Sequence, residues 1–290
     1  MTAGESRATP RRLTIAGIRS MKGGAEPIVM VTAYDFATAQ VVERAGVDLV
    51  LVGDSAAMVV LGYETTRLVS IDEMLMLTRA ARRGAPASLL VGDLPFGSYE
   101  NANELAVATA RRFADAGCDA VKMEGGGATV DRARAVMAAG IPVMGHVGLT
   151  PQQTGDREGF RVHGRTAEGA REIVASARAL DAAGCFAIVA EAMPAPVARA
   201  VTARVRAPVI GIGAGPSTDG QVLVFHDLVG LYDAHVPRYV KRYAELKAAM
   251  IDAVTRYAAD VRARSFPGAE HVYRMEAGEE EKLGMLLDAP

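Results

Sequence analysis

The stretch LVLVGDS, Leu49 to Ser55, is an apolar run that stops at Gly53 and places Asp54 and Ser55 at its end. Continuous Val/Leu runs of this kind are typical of strands in parallel sheets that are covered on both faces. A carboxylate at the end of such a strand lies where the chain leaves the core. The stretch therefore predicts a buried strand that carries an acid to one edge of a parallel sheet.

Two later stretches repeat this ending. LLVGD, residues 89–93, ends at Asp93, and AVKME, residues 120–124, ends with Lys122 and Glu124. Neighbouring strands lie about 4.8 Å apart, so three successive strands would bring three carboxylates into one small volume. Anions that close together repel strongly, and a bound cation is the simplest way to relieve that repulsion. The pattern predicts a metal site.

Composition limits the class of protein. With 290 residues, 50% of them hydrophobic, the chain can bury one large core and has the size of a single α/β barrel. The formal net charge of −2 suggests neither nucleic acid nor an anionic membrane surface as a partner. Cys118 and Cys185 each follow Ala-Gly at the start of an apolar run, so we expect buried, unpaired thiols in a reducing cytosol.

No apolar segment approaches the roughly 18 to 20 residues that a membrane span needs. We therefore expect a cytoplasmic protein. The arginines among residues 1–12 leave an organelle-targeting segment open as an alternative.

Apolar runs alternate with stretches of helical spacing along the chain. Four of the new runs follow Ala-Gly pairs, the pattern of a helix that ends and turns into a strand: Ala45-Gly46, Ala116-Gly117, Ala139-Gly140 and Ala183-Gly184. We count eight strands, with helices between most of them and no Gly-x-Gly-x-x-Gly after the first. This alternation predicts a single-domain (β/α)₈ TIM barrel rather than an open doubly wound sheet.

The ends of the chain differ in composition from its middle. Residues 1–12 are polar and expected to be disordered, and residues 13–265 are expected to form the barrel with an N-terminal helix and a long C-terminal helix, Pro237 to Arg264. The last strand is predicted at Val222 to Phe225. Residues 266–290 are expected to be an acidic tail, either docked or disordered.

Barrel enzymes work at the carboxyl ends of their strands, so the residues that end the strands are the candidate site. In chain order they are Asp54 with Ser55, Asp93, Lys122 with Glu124, His146, Glu191, the glycine loop 211–215 and His226. Carboxylate oxygens without thiolates or paired histidines favour a hard ion, first Mg²⁺ and then Mn²⁺, and make zinc a poor choice.

Such an ion, held by two or three side chains, keeps coordination sites for a 2-oxo acid and acidifies the carbon next to the keto group by stabilising the enolate. Lys122 could hold the developing oxyanion or the carboxylate, and Glu191 could take the proton.

Each of these residues also has a purely structural interpretation. An Asp after a Gly at a strand end is often a turn or cap residue. Lys122 could simply neutralise Glu124, and Glu191 could cap the following helix. His146 and His226 could be hydrogen-bonded core residues. The glycine loop could hold an anion, although glycine content alone is weak support.

Together the motifs resemble the ketopantoate hydroxymethyltransferase family, formally 3-methyl-2-oxobutanoate hydroxymethyltransferases. The matching stretches are VTAYD (31–35), LLVGDSAAMVVLGYETT (about 50–66), RRGAP (82–86), DLPFGSYE (93–100), AVKMEGG (120–126), IPVMGHVGLTPQ (141–152), APVIGIGAGPSTDGQVLVFHD (207–227) and SFPGAEHVY (265–273). They cover roughly residues 12–274 in the family's order, which is far more specific than any single motif.

The resemblance implies a (β/α)₈ enzyme that takes the first committed step of pantothenate biosynthesis. It implies Mg²⁺, with Mn²⁺ or Co²⁺ as alternatives, and transfer of a hydroxymethyl group from 5,10-methylenetetrahydrofolate to 3-methyl-2-oxobutanoate, giving 2-dehydropantoate. It also implies a homo-oligomer, since the family forms decamers. Carried over by position, the metal ligands are Asp54, Asp93 and Glu124, the substrate contacts are Asp54, Ser55, Asp93, Lys122 and His146, and the catalytic proton acceptor is Glu191.

One loop departs from the family pattern. After TPQ the family usually carries a Ser, an Asn two residues later, a Gly-Gly pair and then Val-Gln-Gly. This chain has QTGDREG at residues 153–159 and Val162-His163-Gly164, so a neutral loop has gained Asp156, Arg157, Glu158 and His163. Loops set specificity while the barrel sets the reaction class. We therefore expect the changes to affect the donor and the exact 2-oxo acid rather than proton removal.

Two alternatives remain at this point. One is a divergent relative, similar to the phosphoenolpyruvate mutase and isocitrate lyase superfamily, that acts on another metal-bound 2-oxo acid. The other is a non-catalytic paralogue that binds ligand or serves in an assembly.

Overall fold

The computed structural model describes residues 13–154, 162–234 and 236–288. Eight parallel strands close into a barrel in the order β1 to β8. They are β1 Ile28–Thr32, β2 Leu49–Val52, β3 Leu89–Asp93, β4 Ala120–Glu124, β5 Val143–Gly148, β6 Ala187–Glu191, β7 Val209–Ile212 and β8 Gly220–Leu223. The predicted fold class is confirmed.

Helices follow most strands, as the alternation predicted. They are α1 Ile15–Ser20, α2 Phe36–Arg44, α3 Ala56–Val59, α4 Ile71–Gly84, α5 Asn103–Asp115, α6 Ala128–Ala138, α7 Pro151–Thr154, α8 Ala167–Ala183, α9 Ala195–Thr202, α10 Phe225–Leu228, α11 Leu246–Arg262 and α12 Glu279–Leu287, with 3₁₀ turns at Thr66–Leu68 and Ala269–His271. Polar caps start several of them: Thr14 accepts the Gly17 N–H, and Ser70 and Glu73 form a capping box.

The barrel is packed from both sides. One buried cluster fills its inside and includes Met30, Leu49, Val91 and Ile210. A second lies between the strands and the surrounding helices. Each fully buried aliphatic side chain contributes roughly 1.5–3 kcal/mol, so these clusters hold the strand ends in place as a rigid frame.

Strand register brings the predicted rim residues level with one another. Asp93 pairs with Lys122, Glu124 pairs with His146, and Gly148 pairs with Glu191. The carboxyl ends of the middle strands thus form a continuous edge of charged side chains.

Two predicted elements were misplaced. The last strand is Gly220–Leu223, two residues earlier than expected, and His226 lies within α10. Strand β8 approaches β1 closely at Gly220, because a Cβ there would lie 2.4 Å from the Ile28 carbonyl oxygen. The Phe225 N–H then donates to the side chain of Thr32, which ends the ladder.

The long C-terminal helix begins at Leu246, not at Pro237. Residues ahead of it make tertiary bonds in place of helical ones, as when the Tyr243 N–H donates to the Leu228 carbonyl. Helical periodicity extends further along the sequence than the helix does.

The chain divides into two compact units, Met1–Tyr243 and Ala244–Pro290. The second unit contains α11 and α12, and α11 has no buried residue. Within it Phe266 contacts Tyr257 and His271, with ring centroids 5.5 and 5.1 Å apart. The expected disorder of residues 1–12 falls outside the described residues, and the expected boundary at residue 265 stays a prediction.

Candidate active site

A cavity of about 910 Å³, counting the space open at its mouth, lies at the carboxyl ends of the strands. All seven side chains predicted for the site line it: Asp54, Ser55, Asp93, Lys122, Glu124, His146 and Glu191. The glycine loop contributes only Ile212, and His226 is not among the lining residues. The structure therefore brings the predicted acids, the lysine and one histidine together.

Lys122 is the cation at the centre of this group. Its Nζ lies 2.6 Å from Oδ2 of Asp93 and 3.6 Å from Oε1 of Glu124, and all three side chains are almost completely buried. Burial alone would lower the pKa of Lys122, but the charges of Asp93, Glu124 and Asp54 outweigh it and raise the pKa. Lys122 is therefore a stable ammonium group.

The acids outnumber this cation. Burial, followed by the charges of Asp93 and Glu124, raises the pKa of Asp54 well above its usual range. Burial also raises the pKa of Asp93, against the lowering effect of Lys122. Asp93 Oδ1 is buried and has no hydrogen-bond partner among the residues that the structure describes. A divalent cation bound here would reduce the repulsion between the carboxylates and coordinate the oxygen that has no partner.

The described residues contain no preformed group of three or more His, Cys, Asp or Glu side chains in metal-binding geometry. The available donors still suit a hard ion, because Asp54, Asp93 and Glu124 offer only oxygen. The residues therefore fit Mg²⁺ in chemistry, and the metal site stays a prediction.

His146 lies between two carboxylates. Its Nδ1 is 3.2 Å from Oε1 of Glu124, and its Nε2 is 3.2 Å from Oε2 of Glu191. Burial and the Lys122 charge lower the pKa of His146, but Glu124 and Glu191 raise it, with a net value of about 9. His146 thus lies within ion-pair distance of both carboxylates, and the Glu191 side chain remains 16% exposed.

Ser55 stands at the start of α3 and also lines the cavity. Its Oγ lies 2.8 Å from the hydroxyl of Tyr34, a fully buried residue whose pKa is raised by burial. Tyr34 therefore keeps its proton and fixes the Ser55 hydroxyl.

Two fully buried residues that no sequence pattern pointed to, Tyr99 and Gln152, bind to the acidic residues: Tyr99 to the Glu124 backbone and Gln152 to the Asp54 side chain. Gln152 Nε2 donates to Oδ2 of Asp54 at 2.9 Å, and the Tyr99 hydroxyl donates to Gln152 Oε1 at 2.8 Å. Both residues lie within stretches that carry the family resemblance, but nothing in their local pattern points to these contacts, and Gln152 reaches a carboxylate 98 positions away along the chain.

Tyr239 and Asp227 also line this cavity, and neither was among the residues predicted for the site. Tyr239 gives the glycine loop a packing role: Gly213 has a φ of +63°, and a Cβ there would lie 2.5 Å from the Tyr239 ring. Binding of an anion by this loop stays a prediction.

The loop that departs from the family pattern is described only in part. Asp156, Arg157 and Glu158 lie outside the described residues. His163 is described, and it lines a separate cavity with Glu172 and Ser176 rather than the cavity inside the rim. Its effect on donor or acceptor stays a prediction.

Known sequences match almost the whole chain. A family model for ketopantoate hydroxymethyltransferase matches residues 12–269. The 3-methyl-2-oxobutanoate hydroxymethyltransferase of Nitratidesulfovibrio vulgaris is 50% identical over 290 residues, covering 98% of this chain and 94% of that protein. The enzyme of the same name from Thermus thermophilus is 48% identical over 262 residues, covering 90% of this chain and 100% of that protein.

Solved structures share the architecture. Phosphonopyruvate hydrolase in complex with oxalate and Mg²⁺ has a TM-score of 0.59 at 15% identity, covering 94% of this chain and 96% of that chain. 2,3-Dimethylmalate lyase, a member of the phosphoenolpyruvate mutase/isocitrate lyase superfamily, has a TM-score of 0.54 at 16% identity, covering 94% and 98%. At these identities the likeness concerns the fold alone.

Proposed function

This chain belongs to the ketopantoate hydroxymethyltransferase family, and from this premise we propose that it transfers a hydroxymethyl group to 3-methyl-2-oxobutanoate, giving 2-dehydropantoate. It is an enzyme, a hydroxymethyltransferase. The donor we propose is 5,10-methylenetetrahydrofolate, and the reaction serves pantothenate biosynthesis. One observation carries the proposal: Lys122, His146 and Glu191 share a single cavity with the buried acids Asp54, Asp93 and Glu124.

We propose Mg²⁺ as the metal, with Mn²⁺ or Co²⁺ as alternatives, held by Asp54, Asp93 and Glu124. When bound there, it would polarise the keto oxygen of a 2-oxo acid and acidify the carbon beyond it. The unsatisfied Oδ1 of Asp93 supports this assignment.

The chain's own residues supply the remaining roles. The Lys122 ammonium lies among the acids and balances negative charge that develops on the substrate oxygen. Glu191 is the group that takes the C3 proton, because it is the acid of the cavity that remains partly exposed and lies beyond the cluster around Lys122. His146, 3.2 Å from Glu191, orients that carboxylate. Ser55, held by Tyr34, contacts the substrate.

Apolar side chains of the strands, which we call the apolar wall, also line this cavity. Leu51, Val189, Ile212 and Val222 line it, each from a different strand. A small 2-oxo acid with a branched aliphatic end matches a site that offers both charged and apolar contacts.

Proton NMR in D₂O tests the acid–base half of this proposal without the folate donor. With Mg²⁺ the wild-type protein is expected to remove the C3 proton signal of 3-methyl-2-oxobutanoate, and EDTA is expected to stop the exchange. Glu191→Gln should slow exchange by about 10²- to 10⁴-fold. Glu172→Gln, which changes a glutamate outside the cavity, is the control and should exchange like the wild type. Full exchange by Glu191→Gln would contradict the role of Glu191.

Transfer itself is tested by 2-dehydropantoate formation with 5,10-methylenetetrahydrofolate. Exchange without transfer would leave the acceptor in place and overturn the proposed donor. Neither exchange nor transfer, together with turnover of another 2-oxo acid, would favour the divergent-relative alternative, which no feature of the site supports over the first.

We also propose a homo-oligomer, a decamer by family resemblance, in the cytoplasm. Helix α11 supports an assembly because Met250, Ile251 and Val254 are 54–65% exposed, which is unusual for large apolar side chains in one helix. Light scattering after size exclusion tests it, and a monomer at micromolar concentration would contradict it.

None of the described helices is both long enough and apolar enough to cross a membrane.

A further inference from the structure

Gln152 is a neutral side chain buried among the acids of the site. It is 0% exposed, and each of its side-chain hydrogen-bonding groups is used. Its Nε2 donates to Asp54 Oδ2 at 2.9 Å and to the Leu94 carbonyl at 3.0 Å, while its Oε1 accepts from Tyr99. Its backbone N–H donates to Glu124 Oε2 at 3.1 Å. One residue therefore contacts two of the three proposed metal ligands.

Tyr99 determines the orientation of the Gln152 amide, that is, which positions its oxygen and its nitrogen occupy. The Glu124 N–H donates to the Tyr99 hydroxyl oxygen at 3.2 Å, so the single hydroxyl hydrogen is available for Gln152 Oε1 at 2.8 Å. The reversed amide would place Oε1 against Asp54 Oδ2 and the Leu94 carbonyl, where only acceptors would meet. The orientation of this amide follows from the network, as it does for buried amides in general.

From this arrangement we infer that Tyr99 and Gln152 are positioning residues that set the orientation of Asp54 and Glu124 for metal binding. The inference rests on the proposed function, because it takes the metal ligands from it. Neither residue carries a charge, so neither competes with the cation. Partners of this kind orient metal ligands, and their loss typically weakens metal affinity by about 10- to 100-fold.

Tyr99→Phe is the sharpest variant because it removes one oxygen, changes no charge and leaves every acid in place. The Gln152 amide then loses the partner that defines its orientation. Gln152→Met removes the amide itself at similar size. If Tyr99 acts through Gln152, the double variant should bind metal about as weakly as Gln152→Met alone, since the two changes interrupt the same chain of bonds.

The experiment is titration of metal-stripped protein with Mn²⁺, followed by electron paramagnetic resonance, with no 2-oxo acid or folate present. Thermal unfolding of each variant in EDTA checks that it is folded. Tyr63→Phe is the matched control. The Tyr63 hydroxyl donates to a Glu73 carboxylate oxygen at 2.6 Å, so this variant also removes one hydrogen bond of a tyrosine hydroxyl, but away from the cavity.

The expected result is a Kd for Mn²⁺ raised about 10- to 100-fold in Tyr99→Phe and Gln152→Met, no further rise in the double variant, and no change in Tyr63→Phe. Wild-type affinity in both folded single variants would overturn the inference while the proposed metal site stands, and additive losses would overturn action through Gln152. Absence of Mn²⁺ binding in the wild type would overturn the proposed metal site and this inference with it.

Discussion

The Nζ of Lys122 lies 2.6 Å from Oδ2 of Asp93, and both side chains are 5% exposed or less. Asp54 and Glu124 are buried beside this pair. A single ammonium group thus partly neutralises three carboxylates. Removing one partner of a buried ion pair lowers the free energy of unfolding by far more than the pair contributes, because the remaining charge is left buried without a counter-charge.

Lys122→Met should therefore destabilise the metal-free protein by about 3–5 kcal/mol, measured by urea unfolding in EDTA. Mg²⁺ should recover part of this loss, because without the ammonium group the carboxylates bind the cation more tightly than in the wild type, and a cation that binds only the folded state shifts the equilibrium toward it. Lys22→Met is the control, since Lys22 forms an ion pair of 2.8 Å with Asp219 outside the cavity. Its loss of stability should be the same with and without Mg²⁺; equal Mg²⁺ responses in the two variants would contradict the prediction.

The pH dependence of stability should report His146. Its folded pKa of about 9 lies above the ordinary value of 6.5, because Glu124 and Glu191 outweigh burial and Lys122. Folding therefore favours the protonated form of His146. The stabilisation of the folded state by this residue is complete below about pH 6.5 and is lost as the pH rises through 9. In EDTA, the wild type should lose on the order of 3 kcal/mol over this range relative to His146→Gln. Parallel curves for the two proteins would show that His146 is not the titrating group.

Alkylation should find both cysteines unreactive in the folded protein. Cys185 is fully buried, Cys118 is partly buried, and both are free; desolvation raises the pKa of each thiol to about 12. Only the thiolate reacts, so at pH 8 about one thiol in 10⁴ is in the reactive form. Mass spectrometry after iodoacetamide treatment should find no modification, whereas both thiols should react in guanidinium chloride. Rapid modification of either thiol in the native protein would contradict this burial.

The apolar wall should set the size of the accepted 2-oxo acid. Ile212 pairs with Glu191 in the sheet and lines the cavity, so it lies beside the proposed proton acceptor. Ile212→Val removes one methylene and should shift the ratio of kcat/KM values toward 3-methyl-2-oxopentanoate, which is longer by one carbon, by about 10-fold or more.

Ile210→Val is the matched control for that prediction. It makes the same change on the same strand, at a side chain that is 0% exposed and does not line the cavity. It should cost about 0.5–1.5 kcal/mol of stability and leave the substrate ratio unchanged. A similar shift in both variants would assign the effect to the barrel as a whole rather than to the wall.

Strand ends were predictable because their signal is local. An apolar run buried on both faces must stop where the chain leaves the core, so Asp54, Asp93 and Glu124 could be placed at the rim from the runs that precede them. Secondary-structure limits were less predictable where tertiary bonds intervene. The segment before α11 has helical spacing, yet its backbone bonds to Leu228 instead.

The sequence by itself determined the alternation of strands and helices that predicts the barrel, and the identity of the acids at the strand ends, because both depend on residues that are close together along the chain. Only the tertiary structure decided which neutral groups hold those acids, and that His146 stands between Glu124 and Glu191. A buried hydrogen bond such as that of Gln152 to Asp54 forms between side chains 98 positions apart. Its geometry depends on how the strands and loops pack, so it cannot be predicted from the local sequence pattern.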